Sequence, residues 1–320
     1  MLHSIGGNEV ESSLRHLRSG FQFALVLVCS PLTTPKPLPD LAPCANAKTY
    51  SAEQRLESCT LLLRQTLSDE PRSAVYFNRG NALLELGRFD QARSDYGHAI
   101  DLMPGSAQAY VNRGIANRNM GNDRKAIEDY GAAIHLQPAN AKAYSNRAAA
   151  EFDLRLNGEA LRDFSHSIRL DPSNAGVFVN RAIVFDSLGR SDEAFRDYSR
   201  AIQLDHKRAA AYNGRCYALL QLHKAKAALE DCRAATHLAP RSASAWDSQG
   251  YSYLVLRQPH AAIQSFNTAL GLSPGLPSSL FGRGIAKLRL GLPEGADDIH
   301  HARTLDPTIA ARISPLEVAQ

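Results

Sequence analysis

At 320 residues the chain is long enough for about two ordinary domains, and 44% apolar with 21% charged residues excludes a disordered polymer. The formal charge is +4 with Lys and Arg scattered, which gives no basic face for nucleic acid. Eleven His and five Cys make no constellation at metal-ligand spacing, and the adjacent His300 and His301 would point to different sides of a helix.

In chain order, residues 1–30 come first and read as a signal-like segment. Arg15 and Arg18 precede an apolar run, Phe21 to Cys29, which is too short for the ~20 residues that span a bilayer but has the length of a secretory signal core. Glu9 and Glu11 in a long leader fit a mis-assigned start codon. The alternative is a tail on a cytosolic protein. Export is the reading adopted, so the expected location is periplasmic or secreted, with the cytoplasm as runner-up. Any membrane contact is expected only through this segment, if it is uncleaved. Residues 31–50 carry "PLTTPKPLPDLAP", with five prolines, and are expected to form an extended linker. Residues 51–72 follow as an N-terminal capping helix. Ser51 and Gln54 fit a capping box, and Leu56, Cys59, Leu63 and Leu67 make one apolar stripe.

From residue 73 the chain repeats itself every 34 residues. Pro104, Pro138, Pro172, Pro240 and Pro274 share one phase, with His206 where a proline is missing. Ala92, Ala126, Ala160, Ala194, Ala228, Ala262 and Ala296 form a second series. A third runs Tyr76, Tyr110, Tyr144, Phe178, Tyr212, Trp246 and Leu280. This pattern resembles the tetratricopeptide repeat family over residues 73–307. The resemblance, which extends to exported bacterial members of the family, implies an all-α fold, a right-handed α-solenoid of seven helix-turn-helix units. The units are 73–106, 107–140, 141–174, 175–208, 209–242, 243–276 and 277–309. In the first, Tyr76, Gly80 and Leu83 share a face of helix A, and Ala92, Tyr96 and Ala99 share one of helix B, with Gly80 expected level with Ala92. Gly87, Gly121, Gly189 and Gly291 mark the turns. In the last unit Ile299, Ala302 and Pro307 come one place early, so helix B there is expected to be one residue short. Residues 308–320 are expected to be a C-terminal cap and tail, with a short helix over Thr308–Ile313.

One charged pair recurs at fixed spacing: Arg79–Asp95, Arg113–Asp129, Arg147–Asp163, Arg181–Asp197 and Arg215–Asp231. The sixth unit has Gln249 and Ser265 instead, and the seventh has Arg283–Asp298, one residue closer. Both members vanish together, and nothing nucleophilic accompanies them, so the pair is read as a structural bridge between helices A and B rather than a catalytic device. Losing one partner of such a bridge, if partly buried, costs about 3 kcal/mol.

Among the cysteines, Cys44 and Cys59 bracket the start of the fold. In an exported protein they would close a short loop worth roughly 3 kcal/mol. Cys216 and Cys232 fall inside the fifth unit. Their expected levels differ by a helical turn, which places the Cα atoms beyond the ~7 Å limit for a bridge, so two buried thiols are expected.

No nucleophile elbow, phosphate loop, dinucleotide fingerprint or metalloprotease pair occurs, so neither an enzyme nor a cofactor is indicated. The resemblance implies a protein or peptide partner held on the face lined by helices A. On the family's pattern the second, fifth, ninth, twelfth and thirteenth residues of each unit face that groove, with the sixth nearby. The candidates are Phe77, Asn78, Asn81, Val111, Asn112, Ile115, Asn146, Val179, Asn180, Ile183, Tyr217 and Tyr251. No Lys stands at a fifth place, which argues against the family's clamp for a C-terminal carboxylate, although Asn81 matches one place of it. Asn78, Asn112, Asn146 and Asn180 form a row that could hold a peptide backbone or only bond neighbouring groups. An assembly factor acting through its end units or the opposite face, and a cytosolic adaptor, are the competing readings. The oligomeric state is open.

Overall fold

In the computed structural model the described residues are 42–313 and Leu316. The apolar run Phe21–Cys29 and the linker up to Leu41 lie outside them. The rest of the linker is not extended. Ala42–Ala45 form one helical turn, α1, and a disulfide from Cys44 to Cys59 ties it to α2, Ala52–Leu63, with the Cα atoms 4.9 Å apart. Ser51 caps α2: its hydroxyl accepts from the Gln54 N–H, and its own N–H donates to Gln54 Oε1. Cys44, Cys59, Leu62, Leu67 and Val75 share one buried cluster, which joins α2 to the next helix.

Seven helix pairs follow. They are α3 (Asp69–Glu85) with α4 (Phe89–Leu102), α5 (Ala107–Asn119) with α6 (Asp123–Leu136), and α7 (Ala141–Asp153) with α8 (Asn157–Leu170). Next come α9 (Ala175–Ser187) with α10 (Ser191–Leu204), α11 (Ala209–Gln221) with α12 (Ala225–Leu238), and α13 (Ala243–Val255) with α14 (Pro259–Leu272). The last pair is α15 (Pro277–Arg289) with α16 (Gly295–Leu305), followed by α17 (Ile309–Ile313). No helix among the described residues is long and apolar enough to cross a membrane.

The same local chemistry starts and stops each unit. Ser106, Asn140, Asn174 and Ser242 cap α5, α7, α9 and α13 by accepting backbone N–H bonds. Gly87, Gly121, Gly189 and Gly291 adopt φ between 69 and 74° in the A–B turn, and Arg155, His223 and Arg257 take the same left-handed conformation in the other three units. Helices A of successive units touch each other, whereas helices B make no comparable contact with one another, so the row of units bends toward the helix A side.

The space opposite each small residue of helix A is filled from a different level than expected. A Cβ placed on Gly80 would sit 2.8 Å from the Tyr96 ring, and one on Gly114 would sit 2.6 Å from Tyr130. The eighth place therefore faces the aromatic at the twenty-fourth, not the alanine one turn earlier. That register corrects the reading of the fifth unit. Cys216 and Cys232 occupy those two facing places, their Cα atoms are 5.5 Å apart, and they are bridged.

The seventh unit also departs from expectation. Its helix B has 11 residues against 14 in α14, rather than one fewer. Gly284 and Gly295 replace bulk on both sides, and a Cβ on Gly284 would lie 2.6 Å from the Gly295 carbonyl oxygen. The two backbones meet almost directly there.

Candidate functional site

The arginines of the repeated dipeptides are committed inside their own units. Arg79 donates through Nε and Nη2 to Asp95, both at 2.7 Å, and Arg181 does the same to Asp197 at 2.7 and 2.8 Å. Arg113–Asp129, Arg147–Asp163, Arg215–Asp231 and Arg283–Asp298 share the two-pronged form. Each acid is buried, whereas each guanidinium is about one-fifth to one-quarter exposed. The aromatic series supports the same group: the guanidinium carbons of Arg79, Arg113, Arg147, Arg181 and Arg215 lie 5.4 to 5.9 Å from the ring three residues before. The third Arg nitrogen links units, from Arg181 to Ser165 at 3.0 Å, Arg215 to Ser199 at 3.3 Å and Arg283 to Asn267 at 2.9 Å. The Asp95 bond raises Arg79 above its ordinary pKa, with burial opposing. Burial pushes Asp298 up, but bonds from Arg283 and Lys287 outweigh it and hold the carboxyl below its usual range. In unit 6 the cation has moved: Arg233 of unit 5 reaches the Tyr253 hydroxyl at 3.3 Å, while Gln249 Oε1 is buried without a partner.

The groove candidates divide by exposure. Val111 is 0% and Val179 is 7% exposed, so the fifth-place valines are core in large part. Phe77, Ile115 and Tyr217 are partly exposed, and Ile183 is 43% exposed. The asparagine row is not uniform. Asn112 Nδ2 donates to Asn81 Oδ1 at 2.8 Å, and Asn112 Oδ1 accepts from Gln108 at 2.8 Å. Tyr96 also donates to Asn81, at 2.8 Å. Asn81 is the one asparagine at a ninth place, so the next row member, Asn146, finds Ile115 there and leaves its Nδ2 buried without a partner. Asn78 is partly exposed, and Asn180 is exposed.

The row breaks at Gly214 for a packing reason that the sequence hid. Tyr198 donates to Asp186 Oδ2 at 2.7 Å, and in doing so its ring fills the place where a Cβ of residue 214 would stand. Burial raises Asp186 to about 7, with the Tyr198 bond opposing. Beside that ring a cavity of about 400 Å3 opens on the helix A side, bounded by Val179, Ile183, Asn213, Gly214, Ala210 and Ala245. Asn213 Oδ1 is buried there without a hydrogen-bond partner. Tyr251, by contrast, is 2% exposed, and its hydroxyl donates to the Ser278 carbonyl at 2.6 Å. Among the described residues no group of His, Cys, Asp or Glu is arranged to hold a metal.

Tetratricopeptide repeat profiles match residues 73–106 and 107–140. No curated protein matches the chain. Among solved structures, PilF of Pseudomonas aeruginosa is 17% identical with a TM-score of 0.59, over 67% of this chain and 97% of that one. A tetratricopeptide repeat protein from Parabacteroides merdae is 16% identical with a TM-score of 0.60, over 77% and 98%. A chain of the APC/C hetero-tetramer Cut9–Hcn1 is 17% identical with a TM-score of 0.62, over 84% of this chain and 52% of that one. These likenesses concern the fold. Two units match tetratricopeptide repeat models directly and helix pairs continue at the same period through the described residues, so the chain carries tetratricopeptide repeats.

Proposed function

We propose that the protein is a non-enzymatic scaffold that holds a peptide segment of another protein on the helix A face, in the bacterial cell envelope. Repeats of this kind serve protein–protein interaction, and the two disulfides favour an oxidising compartment. The observation that carries the peptide reading is the cavity beside Gly214. It pairs an exposed aliphatic side chain, Ile183, with an acceptor, Asn213 Oδ1, that lacks a donor. An apolar anchor of a partner fits against Ile183 and Val179, and a backbone N–H fits Asn213.

Ile183→Glu tests this. The side chain is exposed, so the fold should survive, while capture of the native partner from envelope extracts should fall at least ~10-fold, the loss of roughly 1.4 kcal/mol. Unchanged capture by a folded variant would move the interface elsewhere. The second reading, assembly through the opposite face, is favoured by a cleft of about 580 Å3 on the helix B side lined by Arg162, Arg169, Arg190 and His166. Reversing Arg169 and Arg190 to Glu would then abolish capture instead.

A further inference from the structure

The chain's own C-terminal segment lies where the groove of the last units would take a ligand. At the ninth place, Ile115, Ile183 and Tyr217 retain exposure, but Tyr251 is 2% and Ile285 is 9% exposed. The C-terminal segment covers these two. Ile309, Ile313 and Leu316, spaced by four and three residues, are 0, 6 and 2% exposed and share one buried cluster with Tyr251, Phe281 and Ile285. α17 touches α15 and α16, as an eighth helix A would. Beyond those contacts, Arg312, Ile313 and Leu316 wall a cavity of about 140 Å3 whose other side is Tyr217 of unit 5 with Asp247 and Tyr251 of unit 6. The segment has turned across the helix A face. Arg312 brings its charge toward Asp247, a carboxylate that burial raises to about 6 and that accepts from the Ser279 hydroxyl at 2.5 Å. Arg312 also pairs with Asp306 at 3.1 Å.

We propose that Ile309–Ile313 together with Leu316 are an intramolecular stand-in for a partner, so that units 5–7 accept a partner segment with two aliphatic anchors one helical turn apart, a third just beyond them, and a basic residue beside the second, and that the covering residues leave to admit it. The proposal rests on the peptide-groove reading above and specifies its ligand. Helix-in-groove recognition uses this spacing of anchors, and Asp247 supplies the matching charge.

The probe is a fluorescein-labelled peptide of residues 306–320, added to the full chain. In the wild type the tethered copy competes at an effective concentration in the millimolar range, so the free peptide binds weakly. Ile313→Asp with Leu316→Asp should open the site and raise peptide affinity at least ~10-fold. Adding Asp247→Lys to that variant should remove the gain. Equal binding by wild type and opened variant overturns the proposal, as does no binding by an opened variant with native circular dichroism. If the double variant does not fold, Arg312→Glu decides. Arg312 is exposed, so the fold should hold, and an unchanged peptide affinity would then overturn the proposal. The two readings separate: reduced capture by Ile183→Glu with equal peptide binding by wild type and opened variant overturns this proposal alone, whereas unchanged capture by Ile183→Glu with a gain in peptide binding confines the groove to units 5–7.

Discussion

Glu151 stands at the eleventh place of unit 3, where units 1 and 4 carry Leu83 and Phe185. It is buried, its Oε2 has no hydrogen-bond partner, and its nearest cation, Arg147 at 3.8 Å, is already committed to Asp163. Burial first, and then the Asp163 carboxylate, push Glu151 up to about 7, with Arg147 opposing. Glu159 and Arg162 act more weakly and in opposite directions. An acid whose folded pKa lies above its unfolded value near 4.5 binds its proton more tightly in the folded state, so stability falls as pH rises from about 4.5 to about 7. Glu151→Gln removes that loss. The variant should melt above the wild type at pH 8, and the difference should shrink toward zero by pH 4.5. Asp186 titrates in the same range in both proteins, so the difference isolates Glu151. Thermal melts across pH measure it, and a gap that does not change with pH would contradict the assignment.

At the scale of the element, units 1–4 and 6 close their helix pairs by setting a small residue against a ring. Ala148 faces Phe164 in unit 3, and the disulfide replaces that pair in unit 5. Cys216→Ala with Cys232→Phe should therefore rebuild the packing of unit 3 inside unit 5, with ring burial of roughly 2–3 kcal/mol in place of the covalent bond. The expected outcome is a folded protein whose melting temperature no longer responds to reductant at this site and exceeds that of reduced wild type. Failure to fold would show that the bond is required for more than closure. The same register shows what the sequence could convey. The Arg–Asp spacing of sixteen residues was legible as a bridge, because both members change together in unit 6. Which residue of helix B faces the small one was not legible, since alanine and aromatic both recur at the same period and only the packing angle chooses between them. The groove was half legible. Place within the unit identifies the helix A face, but it does not show that Val111 sinks into the core, that Asn81 and Asn112 satisfy each other, or that the tail covers Tyr251.

Across the stack, stability is a sum of unit terms and nearest-neighbour terms, so one weak unit divides the molecule. Units 5 and 6 are that place. Unit 5 lacks the aromatic of its helix B and relies on Cys216–Cys232, and unit 6 lacks the Arg–Asp bridge, leaving Gln249 Oε1 buried and unpaired. Across the boundary Arg233 reaches the Tyr253 hydroxyl at 3.3 Å, the Ser252 hydroxyl lies 3.5 Å from Cys216 Sγ, and one buried apolar cluster spans both units, but neither polar contact is the two-pronged bridge that units 5 and 7 keep within themselves. Oxidised, the chain compensates for one defect with a covalent link. Reduced, it has two adjacent defects, one costing roughly 2–3 kcal/mol of missing ring burial and the other a buried unsatisfied oxygen worth about 1–3 kcal/mol. With reductant present, amide hydrogens of α11–α14 should exchange before those of α5–α10, and urea unfolding should separate into two steps. The oxidised protein should show the two regions much closer in protection. Uniform exchange along the stack under reductant would mean that the neighbours hold unit 5 without its disulfide, and that coupling between units exceeds the sum of the two defects.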